Sequence, residues 1–426
     1  MKQQHTLQPK LRFPEFEGDW DYKPLGEFVS NKSKKFNPKN NEDNLKCVEL
    51  EHIDQNTGRL LGFISSLDTN STKNVFKKGE VLYGKLRPYL NKYYYCEFDG
   101  VCSSEIWVLS GNNFSNKLIS QLTQTNYFKF VTLKTTGSKM PRADWNVLSE
   151  TEFCVPLDIP EQQKIADYLS TVDNKINLLE EKKAQLGLYK KAMMQKLFAQ
   201  EIRFKPSDAG LRGPQSPKDA EALADAEVLE AYLEWEEKRL GEVFNSYNGL
   251  TGKTKENFGF GKPYIKYTQV FNNSKIDIQN FDFVEINDDD NQNSVEFGDA
   301  FFTVSSETPH EVGMSSVLLD KVNDVYLNSF CFGIRPKSKN LNPLYYRYFF
   351  RSKNFRKEVV KLAQGSTRYN MSKVEFMKII IQIPSLPEQQ KIADFLSAID
   401  ESIEKVTEQI TQTQSFKKAM LQQMFV

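Results

Sequence analysis

Two stretches of this chain place apolar residues at alternating four- and three-residue steps, while the regions before them alternate short apolar runs with turns. The first seam runs through Ile165, Leu169, Val172, Ile176, Leu179, Lys183, Leu186, Lys190, Met193 and Leu197. The second runs through Ile392, Leu396, Ile399, Ile403, Val406, Ile410, Thr413, Lys417, Met420 and Met424. This period predicts a coiled-coil helix in each stretch, roughly 40 residues and therefore about 60 Å long. A helix of that length with one narrow apolar stripe needs another helix against it. Pro160 and Pro387, each followed by Glu, are read as first helical positions, where no amide donor is required and the helix dipole favours an acid.

Outside the seams, residues 46–50, 80–83, 93–98 and 104–109 read as strands, as do 264–267, 300–304, 316–319 and 330–335. Helical patterns fall at 117–133 and 343–362. A short apolar strand precedes each seam, at 151–156 and 379–384. Each mixed region is expected to form a small α+β globule with a strongly bent β-sheet.

The second half of this pattern repeats the first. Pro160-Glu-Gln-Gln-Lys-Ile-Ala-Asp167 recurs unchanged as Pro387-Glu-Gln-Gln-Lys-Ile-Ala-Asp394, and the match continues without a gap to the end of the chain. Asp173 aligns with Asp400, and Lys190-Lys-Ala-Met193 with Lys417-Lys-Ala-Met420. More weakly, Trp20 with Leu25-Gly-Glu27 resembles Trp235 with Leu240-Gly-Glu242, and Gly137-Ser138 resembles Gly365-Ser366. On the seam itself the copies have diverged: Lys183 aligns with Ile410, and Leu186 with Thr413. A homodimer of each helix with itself gains nothing from that divergence, so an internal pair is favoured. Antiparallel pairing needs only a short connection through residues 200–234; parallel pairing would send them back along the rod at an entropic cost. The expected architecture has two globules related by an approximate two-fold axis, like the approximate dyad of duplex DNA.

With 426 residues, 39% hydrophobic and 26% charged, the chain reads as a globular protein of two or three domains. The five cysteines (Cys47, Cys96, Cys102, Cys154 and Cys331) show no paired spacing, and none of the three histidines lies at ligand spacing from one. A zinc site is therefore not expected, and a reducing cytosol is the simplest compartment. Residues 1–14 lack the apolar core of a signal peptide, and no apolar run approaches a membrane span. The net charge of zero hides basic islands: residues 335–373 hold eleven Lys or Arg against one acid, Glu358. Residues 219–237 and 288–290 supply compensating acid. Local nucleic-acid binding, with protein contacts elsewhere, fits this distribution.

Several loops carry candidate phosphate or base contacts. Lys85 and Arg87 follow a glycine turn, with Tyr89 close behind. Gly137, Ser138, Lys139 and Arg142 in the first region, and Gly365, Ser366, Thr367 and Arg368 in the second, join glycine amides, hydroxyls and cations. Lys253 sits in a further Gly-Lys-Thr turn. Such groups contact phosphates, and Arg reads guanine with two hydrogen bonds. Catalytic motifs are absent or imperfect. Asn342-Pro-Leu-Tyr345 approaches an adenine-methyltransferase motif, but no glycine-rich cofactor loop accompanies it. Gly252-Lys-Thr254 mimics the end of a P-loop, but Tyr247 stands where its first glycine belongs.

A globule followed by Pro-Glu-Gln-Gln-Lys-Ile-Ala and a long helix ending in Lys-Lys-Ala-Met, all twice over, resembles the specificity subunit of type I restriction-modification enzymes. The openings Leu11-Arg-Phe-Pro-Glu-Phe16 and Gly249-Leu-Thr-Gly-Lys-Thr254 also resemble that family's target-recognition domains. The resemblance implies an α+β chain: a target-recognition domain at 1–158, a spacer helix at 159–200, an acidic linker at 201–234, a second target-recognition domain at 235–385 and a second spacer helix at 386–426. It implies a non-catalytic, cytoplasmic subunit that reads a split double-stranded DNA target, one half per domain. Ile165, Leu169, Val172, Ile176 and Leu179 would pair with Ile392, Leu396, Ile399, Ile403 and Val406. The paired helices would dock two methyltransferase subunits and, through them, restriction or translocase subunits. S-adenosylmethionine, ATP and Mg would belong to those partners, with no cofactor in this chain. Two alternatives stay open: an orphan or anti-restriction DNA-binding relative, and a coiled-coil interaction protein that does not bind DNA. The extra residues 205–234, present in one half only, have no sequence explanation beyond a surface linker and an added helix.

Overall fold

A computed structural model describes residues 8–40, 43–136, 140–204, 234–287 and 289–425. The chain forms two compact units: Met1–Glu181 with Val406–Val426, and Lys182–Lys405. The two long helices, Ile159–Phe198 and Leu386–Met424, are continuous across this division, so each gives its head to one unit and its tail to the other. Both begin at the expected residue, with Pro160 and Pro387 at the second helical position instead of the first; a proline there also needs no amide partner.

In the first unit, Asp21–Pro24 pairs antiparallel with Glu152–Val155 at the foot of the long helix. A four-stranded antiparallel sheet follows, in the order Val29–Ser30, Ile106–Gly111, Val81–Gly84, Tyr93–Tyr95. Beside it lies a five-stranded mixed sheet, in which Lys46–Val48 runs parallel to Gly100–Cys102. The helical pattern at 117–133 is two short helices, Asn116–Leu122 and Asn126–Thr132, because Ser115 and Thr125 each cap a new start with a side-chain oxygen. Phe128 of the second helix meets Tyr83 of the sheet edge-on, ring centres 5.2 Å apart.

The second unit repeats this plan. Glu236–Arg239 pairs with Ile380–Ile383, and the four-stranded sheet runs Phe244–Asn248, Cys331–Pro336, Ala300–Thr303, Ser315–Val317. Its helices Pro343–Phe349 and Lys353–Val360 are capped by Asn342 and Ser352, which align with Ser115 and Thr125. Asn342 therefore belongs to a helix cap, and its side chain also donates to Gln390 at 2.7 Å. Here the five-stranded sheet is replaced by a three-stranded one, Asp282–Val284, Phe258–Ile265 and Tyr326–Leu327.

The helices pair inside each unit. In the first, Ile165, Ala166 and Leu169 pack with Leu421 and Met424; in the second, Met193 and Leu197 pack with Ile392, Ala393, Leu396 and Ile399. The head of each copy thus meets the tail of the other, an antiparallel arrangement. Val172, Ile176 and Val406 are buried as the seam requires, whereas Leu179 and Ile403 are half-buried. The seam also holds the buried Lys417 and the half-buried Lys190.

Candidate nucleic-acid interface

Each globule is locked to its helix by the repeated Pro-Glu-Gln-Gln motif. Glu161, almost fully buried, accepts two hydrogen bonds from Arg12, at 2.7 and 2.8 Å, and one from the Trp20 indole at 3.2 Å. Glu388 accepts from Arg203 at 3.0 and 2.8 Å and from Trp235 at 3.2 Å. A buried carboxylate held by a fork-shaped guanidinium and an indole has its charge and its lone pairs answered together. The next residue works in the same way in both copies. Gln162 accepts from the Ser115 amide and donates to the Pro156 carbonyl, while Gln389 accepts from the Asn342 amide and donates to Pro384. Sequence reasoning recognised the repetition of Glu, Gln and Trp and read the glutamates only as first-turn acids favoured by the helix dipole; their exact recurrence was the available signal for the clamp.

This clamp also locates the extra segment of the second half. Arg12 and Trp20 are 8 positions apart, Arg203 and Trp235 are 32 apart, and both pairs close on one glutamate. The expected helix in 205–234 falls almost entirely outside the described residues.

Three loops converge in the first unit. The Lys85 amide donates to the Glu105 carbonyl at 3.0 Å, the Ala143 amide donates to the Lys85 carbonyl at 2.8 Å, and the Arg87 amide donates to Pro141 at 2.8 Å. Lys85, Arg87 and Arg142, 57 positions apart at the extremes, are thereby brought together. Arg142 is exposed and gripped at both ends by Glu105, through Nε at 3.0 Å and Nη2 at 3.3 Å. That hydrogen bond raises its pKa further above the ordinary arginine value. Arg87 is exposed with φ at 54°, in the left-handed region, where a side chain with a Cβ costs about 1–2 kcal/mol. Exposed Tyr89 stands beside it. Gly137, Ser138 and Lys139 lie outside the described residues.

The second unit repeats the junction with different side chains. The Val304 amide donates to the Phe330 carbonyl, and the Met371 amide donates to Val304, both at 3.0 Å. Phe330 thus takes the place of Glu105. The guanidinium of Arg368 lies 5.9 Å from the exposed Phe330 ring, a cation–π contact where the first unit has an ion pair. Ser366 and Thr367 are exposed on the same turn, and Gly365 closes it at φ 136°. A Cβ there would come within 2.2 Å of the Arg368 carbonyl oxygen, so glycine is required.

Lys253 is placed differently: its ammonium is turned inward onto Asp290, and its side chain is 6% exposed. Within the basic island at 335–373, Lys337, Lys339, Lys353, Lys357, Lys361 and Arg368 are exposed, whereas four half-buried arginines are engaged by the fold. Arg335 binds the fully buried Asp299, Arg347 binds Asp400, and Arg351 and Arg356 donate to backbone carbonyls. At these four arginines and at Lys253, positive charge counted along the sequence is spent inside the fold. Among the described residues no cluster of His, Cys, Asp and Glu suits a metal, and no helix is long and apolar enough to cross a membrane.

Comparison with known proteins agrees with this duplicated plan. A family model described as the type I restriction modification DNA specificity domain matches residues 17–188 and again 232–413. The chain is 24% identical over 300 residues to the type I restriction enzyme MjaVIII specificity subunit of Methanocaldococcus jannaschii, covering 68% of this chain and 65% of that protein. It is 26% identical over 135 residues to the EcoDI specificity subunit of Escherichia coli, covering 30% of each. The matches therefore span less than two thirds of the length of these relatives. In fold, the chain resembles the type I restriction-modification system S subunit from M. genitalium, with TM-score 0.54, 15% identity, and 98% and 99% of the two chains covered. It also resembles a chain from a structure described as the structural basis underlying complex assembly and conformational transition of the type I R-M system, with TM-score 0.55, 17% identity, and 94% and 96% covered. The twice-matched family model spans most of the sequence, and the chain belongs to the type I restriction modification DNA specificity domain family.

Proposed function

We propose that this chain is the non-catalytic specificity subunit of a type I restriction-modification enzyme and reads a split target in duplex DNA, one half through each unit. The observation that carries the reading is the repeated three-loop junction. The backbone bonds through Lys85 recur at Val304, but Glu105 pairs with Arg142 in one unit, whereas Phe330 meets Arg368, two positions before the equivalent of Arg142, in the other. One scaffold presenting different side chains twice suits recognition of two unlike half-sites, because phosphate contacts position a protein while base contacts specify the sequence. The proposed contacts are Lys85, Arg87 and Arg142 with neighbouring Gly137, Ser138 and Lys139 in one half, and Gly365, Ser366, Thr367 and Arg368 in the other. Lys253, neutralised by Asp290, is left to hold its loop.

The duplicated helix supports docking of two methyltransferase subunits, one at each copy, with restriction or translocase subunits joining through them. S-adenosylmethionine, ATP and Mg then belong to those partners. The test is co-expression with the cognate methyltransferase subunit, followed by sequencing of methylated bases in host DNA. A two-part motif with a fixed gap is expected. Methylation without sequence preference, or none at all despite stable assembly, would overturn the reading in favour of an interaction protein.

A further inference from the structure

The junction between globule and helices in the second unit contains a cavity of about 390 Å³ that collects positive charge without matching acid. Lys190, Arg347, Arg351 and Arg356 line it, and no carboxylate does. Its nearest counter-charge, Asp400, is already engaged by Lys190, Arg347 and the Tyr348 hydroxyl. An adjoining crevice that shares Lys190 and Arg347 also contains Asp277 and Asp320, but Asp320 faces Lys275 at 3.2 Å.

The two remaining arginines have no carboxylate partner. Arg351 donates through Nε to Ser315 at 2.7 Å and through Nη2 to the carbonyls of Val270, Phe271 and Asn273. Arg356 donates through its two Nη atoms to Gly313, His310 and Val312. The Nη1 group of Arg351 and the Nε–H of Arg356 make no hydrogen bond within the fold, and neither is sealed from solvent. Burial, and then the neighbouring cations Arg356 and Arg347, lower the Arg351 pKa to about 10, and burial lowers that of Arg356 equally. Carbonyl dipoles orient these groups but do not cancel their charge.

The duplicate supplies the contrast. Arg347, Tyr348, Arg351 and Arg356 align with Ser120, Gln121, Gln124 and Lys129 of the first unit, which line a cavity at the equivalent junction. There Gln121 and Gln124 bond Asp173 and Lys417 directly and bring no charge of their own. Three of the four positions are thus uncharged in the first unit, and only Lys129, aligned with Arg356, keeps a cation, so the charge of Arg347 and Arg351 is not part of the shared plan.

We propose that this arginine-lined cavity of the second unit is an oxyanion site that takes a phosphate group. Arg351 and Arg356 line it and each keeps an N–H group that the fold does not use, and Lys190 and Arg347 supply further charge, a fork-and-point-charge combination suited to phosphate oxygens. The phosphate is either a free anion or part of a DNA backbone, and the two sources separate experimentally.

The test uses the full chain and inorganic phosphate. At matched ionic strength, 10 mM phosphate in place of chloride should raise the unfolding temperature by about 2 °C or more for a millimolar site. Arg351→Gln with Arg356→Gln should abolish that rise. Because these arginines also hold backbone carbonyls, Met194→Glu serves as a second variant: it leaves every arginine in place and sets a carboxylate on the cavity wall. It should abolish the phosphate response while the folded state persists. Competition by phosphate against a duplex, with a shallower salt dependence in Met194→Glu, assigns the backbone as the source; unchanged duplex binding assigns the free anion. A phosphate response equal in wild type and Met194→Glu, or none in wild type alongside an unchanged salt slope, overturns the proposal.

Discussion

The Lys417 ammonium bonds the Asp173 carboxylate across the two long helices, and the aligned residues Lys190 and Asp400 form the same pair. The exchange is reciprocal: the lysine of each copy meets the aspartate of the other. Only antiparallel pairing brings this about, since parallel pairing in register would set Asp173 beside Asp400. Two seam positions that looked like interruptions of the apolar stripe are thus part of what sets helix direction. Lys417 is 7% exposed and its pKa is lowered, chiefly by burial, with Asp173 opposing.

Asp173→Asn should therefore cost about 1–3 kcal/mol of stability, because it leaves a buried cation facing only Gln124. Lys417→Met should cost less, and the double variant should show coupling of about 1–2 kcal/mol in urea unfolding. Additive costs would show that the pair does not act as a unit.

Glu161→Gln should loosen the first unit by about 2–4 kcal/mol, since Arg12 and Trp20 both lose their charged acceptor. Amide exchange should accelerate in Asp21–Pro24 and Glu152–Val155 while Glu236–Arg239 and Ile380–Ile383 are unaffected. Glu388→Gln should give the converse map.

In the assembled enzyme, Arg142→Ala should weaken recognition of one half-site by about 5- to 150-fold and leave the other half untouched. Gly365→Ala, which drives a Cβ into the Arg368 carbonyl, should impair only the other half. Lys253→Ala should leave sequence preference intact. Binding to duplexes altered in one half at a time reads all three; equal loss at both halves for Arg142→Ala would indicate misfolding instead of lost recognition.

All five cysteines are buried and free, and burial raises each thiol, Cys47 and Cys154 to about 11 from 9.0. Above pH 9 the unfolded chain loses these protons while the folded chain keeps them, so stability is full below pH 9 and falls as pH rises toward 11. Thermal unfolding between pH 8 and 10.5 should show the fall. At pH 8 the thiols should resist alkylation until the protein unfolds.

The helices, their direction and the duplicated plan were legible because the seam, the divergence along it and the Pro-Glu-Gln-Gln repeat are local patterns. Most of the strands that the pattern named were legible to within a few residues, but Phe258–Ile265 begins well before its predicted start, and Asp21–Pro24, Lys73–Phe76, Gly100–Cys102 and Phe244–Asn248 were not read at all. The breaks at Ser115 and Thr125, which divide one helical pattern into two helices, could have been read from capping chemistry. The charge map could not: whether an arginine faces solvent or backbone carbonyls, as Arg351 and Arg356 do, depends on tertiary neighbours far along the chain. Lys253 misled for a related reason, since its turn resembles a phosphate loop in sequence while Asp290 claims the amine. Arg87 and Arg142 were noticed separately; their meeting depends on backbone bonds between loops more than fifty positions apart.

Because Arg203 and Trp235 both close on Glu388, the two ends of the segment between them are held by a single anchoring residue. With both ends fixed at one residue, the cost of a change in length between them is expected to scale with the logarithm of the separation. Reducing the separation from 32 positions to the 8 seen between Arg12 and Trp20 should be worth only about 1 kcal/mol. A change of length between these anchors that leaves Arg203, Trp235 and Glu388 intact should therefore preserve the folding of both units.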